Sequence, residues 1–246
     1  ADPHDMAAAG GFGKSMEAAQ QQLRAGDLPM ALLTLSFWYD HPKLTAAEED
    51  QLNKLLDQLA GTVIYSRQSF IEAPHRVSQY ERLEDIAKKW EITPRLLAKI
   101  NAIDADSRPE QGAELKVVRG PFNATVNVGK QTLTLMVGGR YAGRFPLRTS
   151  SNFNPAGRQY FVQIKTANPP AARFNNSRDT IPITRRIELA SGASAGTASG
   201  EVVQIIGGDD PSLLQSPEYA NAILLGSNDA DDVFDILTEQ SRVTIE

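Results

Sequence analysis

The chain has 246 residues, 41% of them hydrophobic and 22% charged, which predicts a globular protein of two or three modules. Its net charge of -5 argues against nucleic acid or anionic membrane as the main partner, because both demand basic patches. Cysteine is absent and the three histidines are His4, His41 and His75. Disulfides, thiolate metal sites and a thiol nucleophile are therefore excluded, and nothing beyond residue 75 supplies imidazole.

Residues 1–13 are small and polar, with Gly10, Gly11 and Gly13, and are predicted to be a loose N-terminus. Ala1-Asp2-Pro3-His4-Asp5 reads as the beginning of a truncated or mature chain that carries no signal peptide. No run of about 18 apolar residues marks a membrane span. Over 14–70 three helices are expected. Met16, Ala19 and Leu23 precede Gly26; Ala31, Leu32, Leu35 and Trp38 follow a first-turn Pro29; Leu52, Leu55, Leu56 and Leu59 follow a Thr45–Glu48 capping box. They predict a small packing bundle.

Residues 74–118 change character. Arg76-Val77-Ser78 reads as a short strand, and Leu83, Ile86, Ala87 and Trp90 as one helix face. Thr93 caps a second helix with Pro94 in its first turn and Leu96, Leu97 and Ile100 on its apolar side. Asn101 ends it, Gln111-Gly112 turns, and Leu115-Lys116-Val117 closes a βααβ unit. His75-Arg76-Val77, Leu83-x-x-Ile86-Ala87, Thr93-Pro94-x-x-Leu97, Asn101 and Gly112-x-x-Leu115 together resemble a LysM domain over the whole segment. The resemblance implies binding of glycans that contain N-acetylglucosamine, peptidoglycan above all. It places one wall of the sugar groove at Tyr80, Glu81 and Arg82 and the other at Asn101, Ala102 and Ile103. The departure is Tyr80-Glu81-Arg82, where the family usually reads Gly-Asp-Thr.

From residue 121 the pattern is one of strands. Leu133, Leu135 and Val137 alternate with polar or flexible neighbours, and Gly138-Gly139 is a two-residue hairpin signal. The return strand runs over 140–147 with Phe145 and Leu147 inward; Tyr160, Val162 and Ile164 alternate; Val202-Val203 and Ile205-Ile206 read as buried. Residues 190–200 are low in complexity and predict a loop. Ser227 is positioned to cap a helix with Asp229, Asp231 and Asp232 near its start and Ala230, Val233, Phe234 and Leu237 on its buried face. Val243-Thr244-Ile245 is the last strand.

The hairpin from Leu133 to Leu147, Asn154-Pro155-x-Gly157-x-x-Tyr160 and the segment from Gly226 to Leu237 followed by Val243-Thr244-Ile245 resemble a YkuD-type L,D-transpeptidase domain. The fold class that follows is α+β and multidomain: a helical bundle at 14–70, a LysM module at 74–118, and at 121–246 a mostly β sandwich or barrel with a C-terminal helix. The family's chemistry attacks a stem-peptide carbonyl with a thiolate that a histidine activates. Aligned on the terminal helix, the signature Ser-His-Gly-Cys-x-Arg falls on Tyr219 to Leu224. Ala220 then stands at the histidine position, Ala222 at the cysteine and Leu224 at the arginine, and the upstream Ile-His-Gly reads Ile206-Gly207-Gly208. Ser216 and Ser227 have no base near them in this region, so no catalytic residue is assigned.

The other polar groups have plainer readings. Asp209-Asp210 and Asp229/Asp231/Asp232 lack the spacing of a calcium loop and read as a solvated loop and a charged helix start. Tyr219, Asn221 and Arg185 form a candidate peptide cleft; Arg186, Arg173 and Arg178 are further basic points. Trp38, Tyr39 and Trp90 read as core, and Asn123-Ala124-Thr125 and Asn175-Asn176-Ser177 fit a glycosylation pattern that a bacterial wall protein does not use. The resemblances imply an extracytoplasmic, periplasmic or wall-associated pseudoenzyme. Its partners would be glycan strands, and stem peptides or a wall enzyme, with no cofactor and no metal. Two alternatives stand beside it: acyl transfer through a non-cysteine site, and a structural adaptor recruiting a partner through the helices.

Overall fold

The structure, a computed structural model, describes all residues except 1–2, 156–158, 169–171, 174–179 and 192–201. The chain divides into two units, residues 1–120 with 136–143, and residues 121–135 with 144–246.

The first unit opens with α1 (Pro3–Arg24), α2 (Leu28–Ser36) and α3 (Ala46–Ala60). Where glycines predict a loose start, the chain is helical from Pro3. Alanines favour helix there, and the glycines register as a break at Gly11, with φ 72° and ψ 172°. Asp27 caps α2 by accepting the Met30 N–H at 3.1 Å. The Thr45–Glu48 box is reciprocal: Glu48 accepts from the Thr45 N–H at 2.9 Å and Thr45 Oγ1 from the Glu48 N–H at 3.4 Å. Such a cap contributes about 1 kcal/mol. Leu32 and Leu35 of α2 and Leu52, Leu56 and Leu59 of α3 are buried, and Leu55 only half so.

Residues 136–143 complete this unit as the tip of a hairpin. Gly138 and Gly139 take φ of 54° and 75°, the pair of positive values that a two-residue turn of type I′ demands. Beyond the turn Tyr141 is fully buried. Its N–H donates to Ser36 Oγ at 2.8 Å and its hydroxyl donates to the Asp57 carboxylate.

The remainder of the first unit is β1 (His75–Arg76), α4 (Leu83–Lys89), α5 (Pro94–Asn101) and β2 (Glu114–Leu115). The strands pair antiparallel, His75 opposite Leu115, and Leu83, Ile86, Ala87, Leu96, Leu97 and Ile100 are buried. Thr93 caps α5, its Oγ1 accepting from the Leu96 N–H at 3.0 Å.

The second unit holds β3 (Asn123–Asn127), the parts of β4 (Thr132–Val137) and β5 (Arg140–Thr149) outside residues 136–143, β6 (Gln159–Ala167), β7 (Ala172–Arg173), β8 (Thr180–Ile181), β9 (Arg185–Ser191), β10 (Val202–Gly207), β11 (Ala222–Leu225), α6 (Ser227–Ile236) and β12 (Arg242–Ile245). Eight strands close into a barrel in the order β10-β11-β5-β4-β3-β12-β6-β9, while β7 and β8 pair separately. The open choice between sandwich and barrel thus resolves as a barrel, which leaves no unpaired sheet edge in the ring. β10 pairs parallel with β11, and β12 parallel with β3. The chain's last strand is therefore held by one of the unit's first.

The inward assignment of Ile164 fails for a local reason. Ile164 is 54% exposed although Tyr160 and Val162 are buried. The register between β6 and β9 slips between Val162 and Ile164, where a bulge inserts one residue and turns the following side chains to the other face. Phe145 is half-buried while Leu147 is buried. Strands β9 and β11 were not legible as strands, because the residues of β9 open with Arg185-Arg186 and those of β11 follow two short 3-10 turns. Gly157, Arg178, Asn175-Asn176-Ser177 and most of the low-complexity stretch lie outside the described residues.

Candidate functional site

The barrel brings together the two segments to which the transpeptidase resemblance assigns chemistry. β10 and β11 run side by side, with Gln204 opposite Ala222 and Ile206 opposite Leu224. Side chains alternate along a strand, so Ile206, Ala222 and Leu224 share one face. That face is covered. Ile183, Ile206, Leu213, Tyr219, Ala222 and Leu224 form a single apolar cluster with Leu214 against its rim. Ala222 is completely buried and Tyr219 is 2% exposed. Burial, then the neighbouring Glu218, pushes the Tyr219 hydroxyl up to about 12, so the phenol is neutral and acts as packing. The space over Ala222 is filled by aromatic and aliphatic carbon.

The end of β10 is equally tight. A Cβ on Gly207 would stand 2.4 Å from Thr184 Oγ1 and 2.5 Å from Ala230 Cβ, and one on Gly208 would stand 2.7 Å from Leu213 Cδ1. Bare backbone is what fits beneath α6, and no imidazole can be seated at Gly207 without moving the helix. Ala220 lies apart from Ala222. It borders an open cleft of about 780 Å³ with Ser216, Pro217 and Ser150, and Ser150 Oγ donates to the Ala220 carbonyl at 2.7 Å.

The three candidate peptide-cleft residues are not assembled on one surface. Tyr219 belongs to the apolar cluster. Asn221 is half-buried, and its carbonyl accepts from the Gln204 N–H at 3.1 Å. Arg185 faces α6: its Nε lies 3.0 Å from Asp231 in an ion pair not aligned as a hydrogen bond, its Nη1 donates to the Thr184 carbonyl at 2.9 Å, and its guanidinium lies 5.2 Å from the centre of the Phe234 ring. Arg186, opposite Ile206 in the pairing, takes the Tyr219 side instead. One step along a strand reverses the face, and only register tells the two arginines apart.

The acidic residues act as caps. Asp209 Oδ1 accepts from the Ser227 N–H at 2.9 Å and its Oδ2 from the Ser227 hydroxyl at 2.8 Å. The cap of α6 thus comes from Asp209, and Ser227 is the helix's first residue rather than its cap. These bonds, the backbone one foremost, hold the Asp209 carboxyl below its ordinary value. Asp210 caps the 3-10 turn at 211–215 through the Ser212 N–H at 2.9 Å. Among the described residues no group of three or more His, Cys, Asp or Glu side chains is placed to hold a metal.

In the βααβ unit the six candidate groove residues divide by their contacts. Glu81 accepts from the Ser78 N–H at 2.8 Å and lies 2.9 Å from His75 Nε2. Burial pushes its carboxyl up, but the Ser78 amide and His75 more than offset this and hold it below the ordinary value. Asn101 Oδ1 accepts from the Lys116 N–H at 2.8 Å, and its Nδ2 donates to the Leu97 carbonyl at 2.8 Å and the Lys116 carbonyl at 2.9 Å. Both side chains brace the unit from within. Ala102 ends α5 in the left-handed region (φ 50°), and Ile103 is half-buried.

Tyr80 and Arg82 remain on the surface. Tyr80 is 74% exposed and holds φ at 65°, a left-handed conformation that costs an ordinary side chain about 1–2 kcal/mol. That backbone region is one glycine adopts more readily than tyrosine. Two shallow clefts meet at its ring. One of about 210 Å³ runs between Tyr80, Arg82 and residues 105–108, and one of about 360 Å³ between residues 78–80 and 108–111. The Arg108 guanidinium sits 5.5 Å from the ring centre. Residues 105–108 face Tyr80 and Arg82 across the smaller cleft.

No known family model matches the chain, and no curated protein matches it. Solved structures similar to it include an L,D-transpeptidase from Mycobacterium smegmatis, at 11% identity and a TM-score of 0.38 over 55% of this chain and 63% of that one. L,D-transpeptidase 3 from Mycobacterium tuberculosis matches at 11% identity and a TM-score of 0.39 over 55% of this chain and 65% of that one. L,D-transpeptidase 1 from the same organism matches at 14% identity and a TM-score of 0.37, over 55% and 67%. The chain spans less than two thirds of the length of the first two.

Proposed function

We propose that this chain is a peptidoglycan-associated, extracytoplasmic protein of the L,D-transpeptidase type that has lost its chemistry. Its βααβ unit holds glycan, and its barrel serves as a scaffold. The observation that carries the loss is the filled face of β11. Acyl transfer needs a nucleophile, a base and room for a carbonyl between them. Here the nucleophile position is a methyl group under Tyr219, the signature histidine position is Ala220, and the upstream histidine position is Gly207 with no space for a Cβ.

The observation that favours glycan is Tyr80. An aromatic side chain held exposed at an unfavourable φ, with shallow clefts on both sides, offers a flat ring to a sugar face. Arg82 and Arg108 border the same surface and supply donors for sugar hydroxyl and carbonyl oxygens.

Sedimentation with insoluble peptidoglycan tests the binding half. The wild-type chain is expected in the pellet, and Tyr80→Ala is expected to leave most of it in the supernatant. Equal pelleting of the two proteins would remove Tyr80 from the reading; no pelleting of either would remove the glycan. A crosslinking assay with tetrapeptide stems, run beside an active L,D-transpeptidase, tests the other half and is expected to give no product.

A further inference from the structure

A second cleft borders β11 beside the covered face and shares Leu224 with it. It measures about 260 Å³ and lies where α6 begins, with Pro146, Pro211, Leu224 and Leu225 among its walls. Three charged side chains line it: Arg148 from β5, Asp209 from the loop after β10, and Asp229 from the first turn of α6. Asp209 is engaged by Ser227. Arg148 and Asp229 line the same cleft, yet neither forms a hydrogen bond or ion pair with another described side chain, nor do they pair with each other.

Opposite charges around a small cavity that do not close on each other leave both poles open to a ligand. The geometry narrows its kind. Gly226 has no side chain, and the position its Cβ would take lies 3.7 Å from Asp229 Oδ2 and 3.8 Å from Asp209 Oδ1. A point beside the backbone is thus flanked by two carboxylate oxygens, a setting for an ammonium. Arg148 presents a planar fork of donors suited to a carboxylate. The volume falls just short of the ~300–1,000 Å³ typical of sites for drug-sized molecules.

We propose that this cleft binds a small zwitterion, an α-amino acid whose ammonium meets Asp229 and Asp209 and whose carboxylate meets Arg148. Burial, with Asp232 nearby, holds the Asp229 carboxyl above its ordinary value, as befits a carboxylate lacking a cation; an ammonium in the cleft would reverse this. The proposal stands whether or not the βααβ unit binds sugar.

The test is NMR titration of the full chain with D- and L-alanine, beside alaninamide, which keeps only the ammonium, and N-acetylalanine, which keeps only the carboxylate. Saturable shifts of the Gly208, Leu225 and Gly226 amides are expected with at least one alanine enantiomer. Each single-charge analogue should bind about tenfold or more weakly, the usual cost of losing one charge-assisted contact. Arg148→Gln and Asp229→Asn should each weaken alanine binding by a similar factor. No saturable shift with either enantiomer would overturn the proposal. So would equal binding of an analogue on the wild-type chain, a result that does not depend on either variant folding.

Discussion

Asn101 clasps Lys116 on both edges of its backbone, accepting its N–H at 2.8 Å and donating to its carbonyl at 2.9 Å. The same amide nitrogen also reaches the Leu97 carbonyl at 2.8 Å. One side chain therefore closes the end of α5 onto the segment that follows β2. Asn101→Ala would leave three backbone groups without their partner. The expected cost is about 2–3 kcal/mol, read as a lower denaturant midpoint with an unchanged slope. A fall in glycan binding without a fall in stability would instead make Asn101 a sugar contact.

Lys116 itself sets a pH dependence. Its side chain is buried and donates to the carbonyls of Val63 at 3.0 Å and Ser66 at 2.5 Å, at the end of the helical turn that continues α3. Burial lowers its pKa from 10.5 to about 8. Between those values the unfolded chain binds the proton and the folded chain does not, so stability rises with pH across that window. Below about 8 the cost of burying the charge is present in full. The slope from one group is at most about 1.4 kcal/mol per pH unit. Lys116→Met should remove that part of the slope, and parallel stability profiles of the two proteins from pH 7 to 11 would show the assignment to be mistaken.

At Gly207 the packing is tight enough to test with one methyl group. Gly207→Ala sets a Cβ against Ala230 and Thr184 at 2.5 and 2.4 Å. Overpacking of this kind costs about 1–3 kcal/mol. Thermal or chemical unfolding would register it, and an unchanged midpoint would mean that α6 yields freely and that a larger residue is tolerated.

Ala222→Cys restores the family's nucleophile without its setting. Ala222 is wholly buried beneath Tyr219 and Leu224. The thiol is expected to stay unmodified by a water-soluble thiol reagent until the protein unfolds, and to give no acyl adduct with a stem peptide. Rapid labelling of the folded protein would show that the apolar cluster opens.

Tyr80 should trade stability for binding. Tyr80→Gly relieves a left-handed φ of 65° and is expected to stabilise the chain by about 1 kcal/mol while abolishing any stacking on sugar. Calorimetry reads the first effect and peptidoglycan sedimentation the second. Loss of stability would mean that the ring packs in place.

The legible parts of the fold were those whose causes lie close together in the chain. The Thr45–Glu48 box, the Thr93 cap before Pro94 and the Gly138-Gly139 turn each depend on a few neighbouring residues, and each stands where it was expected. The inventory of reactive groups was equally plain: without cysteine, and without histidine beyond residue 75, thiolate–imidazole chemistry is closed to the second unit whatever its fold. Tertiary structure decided which way those groups face. Asp209 and Ser227 are far apart in sequence, and only the barrel makes one the cap of the other. Arg185 and Arg186 are neighbours in sequence, and strand register sends them to opposite faces. Composition sets which reactions have the atoms they need, while long-range pairing sets which of those atoms meet and which are buried out of reach.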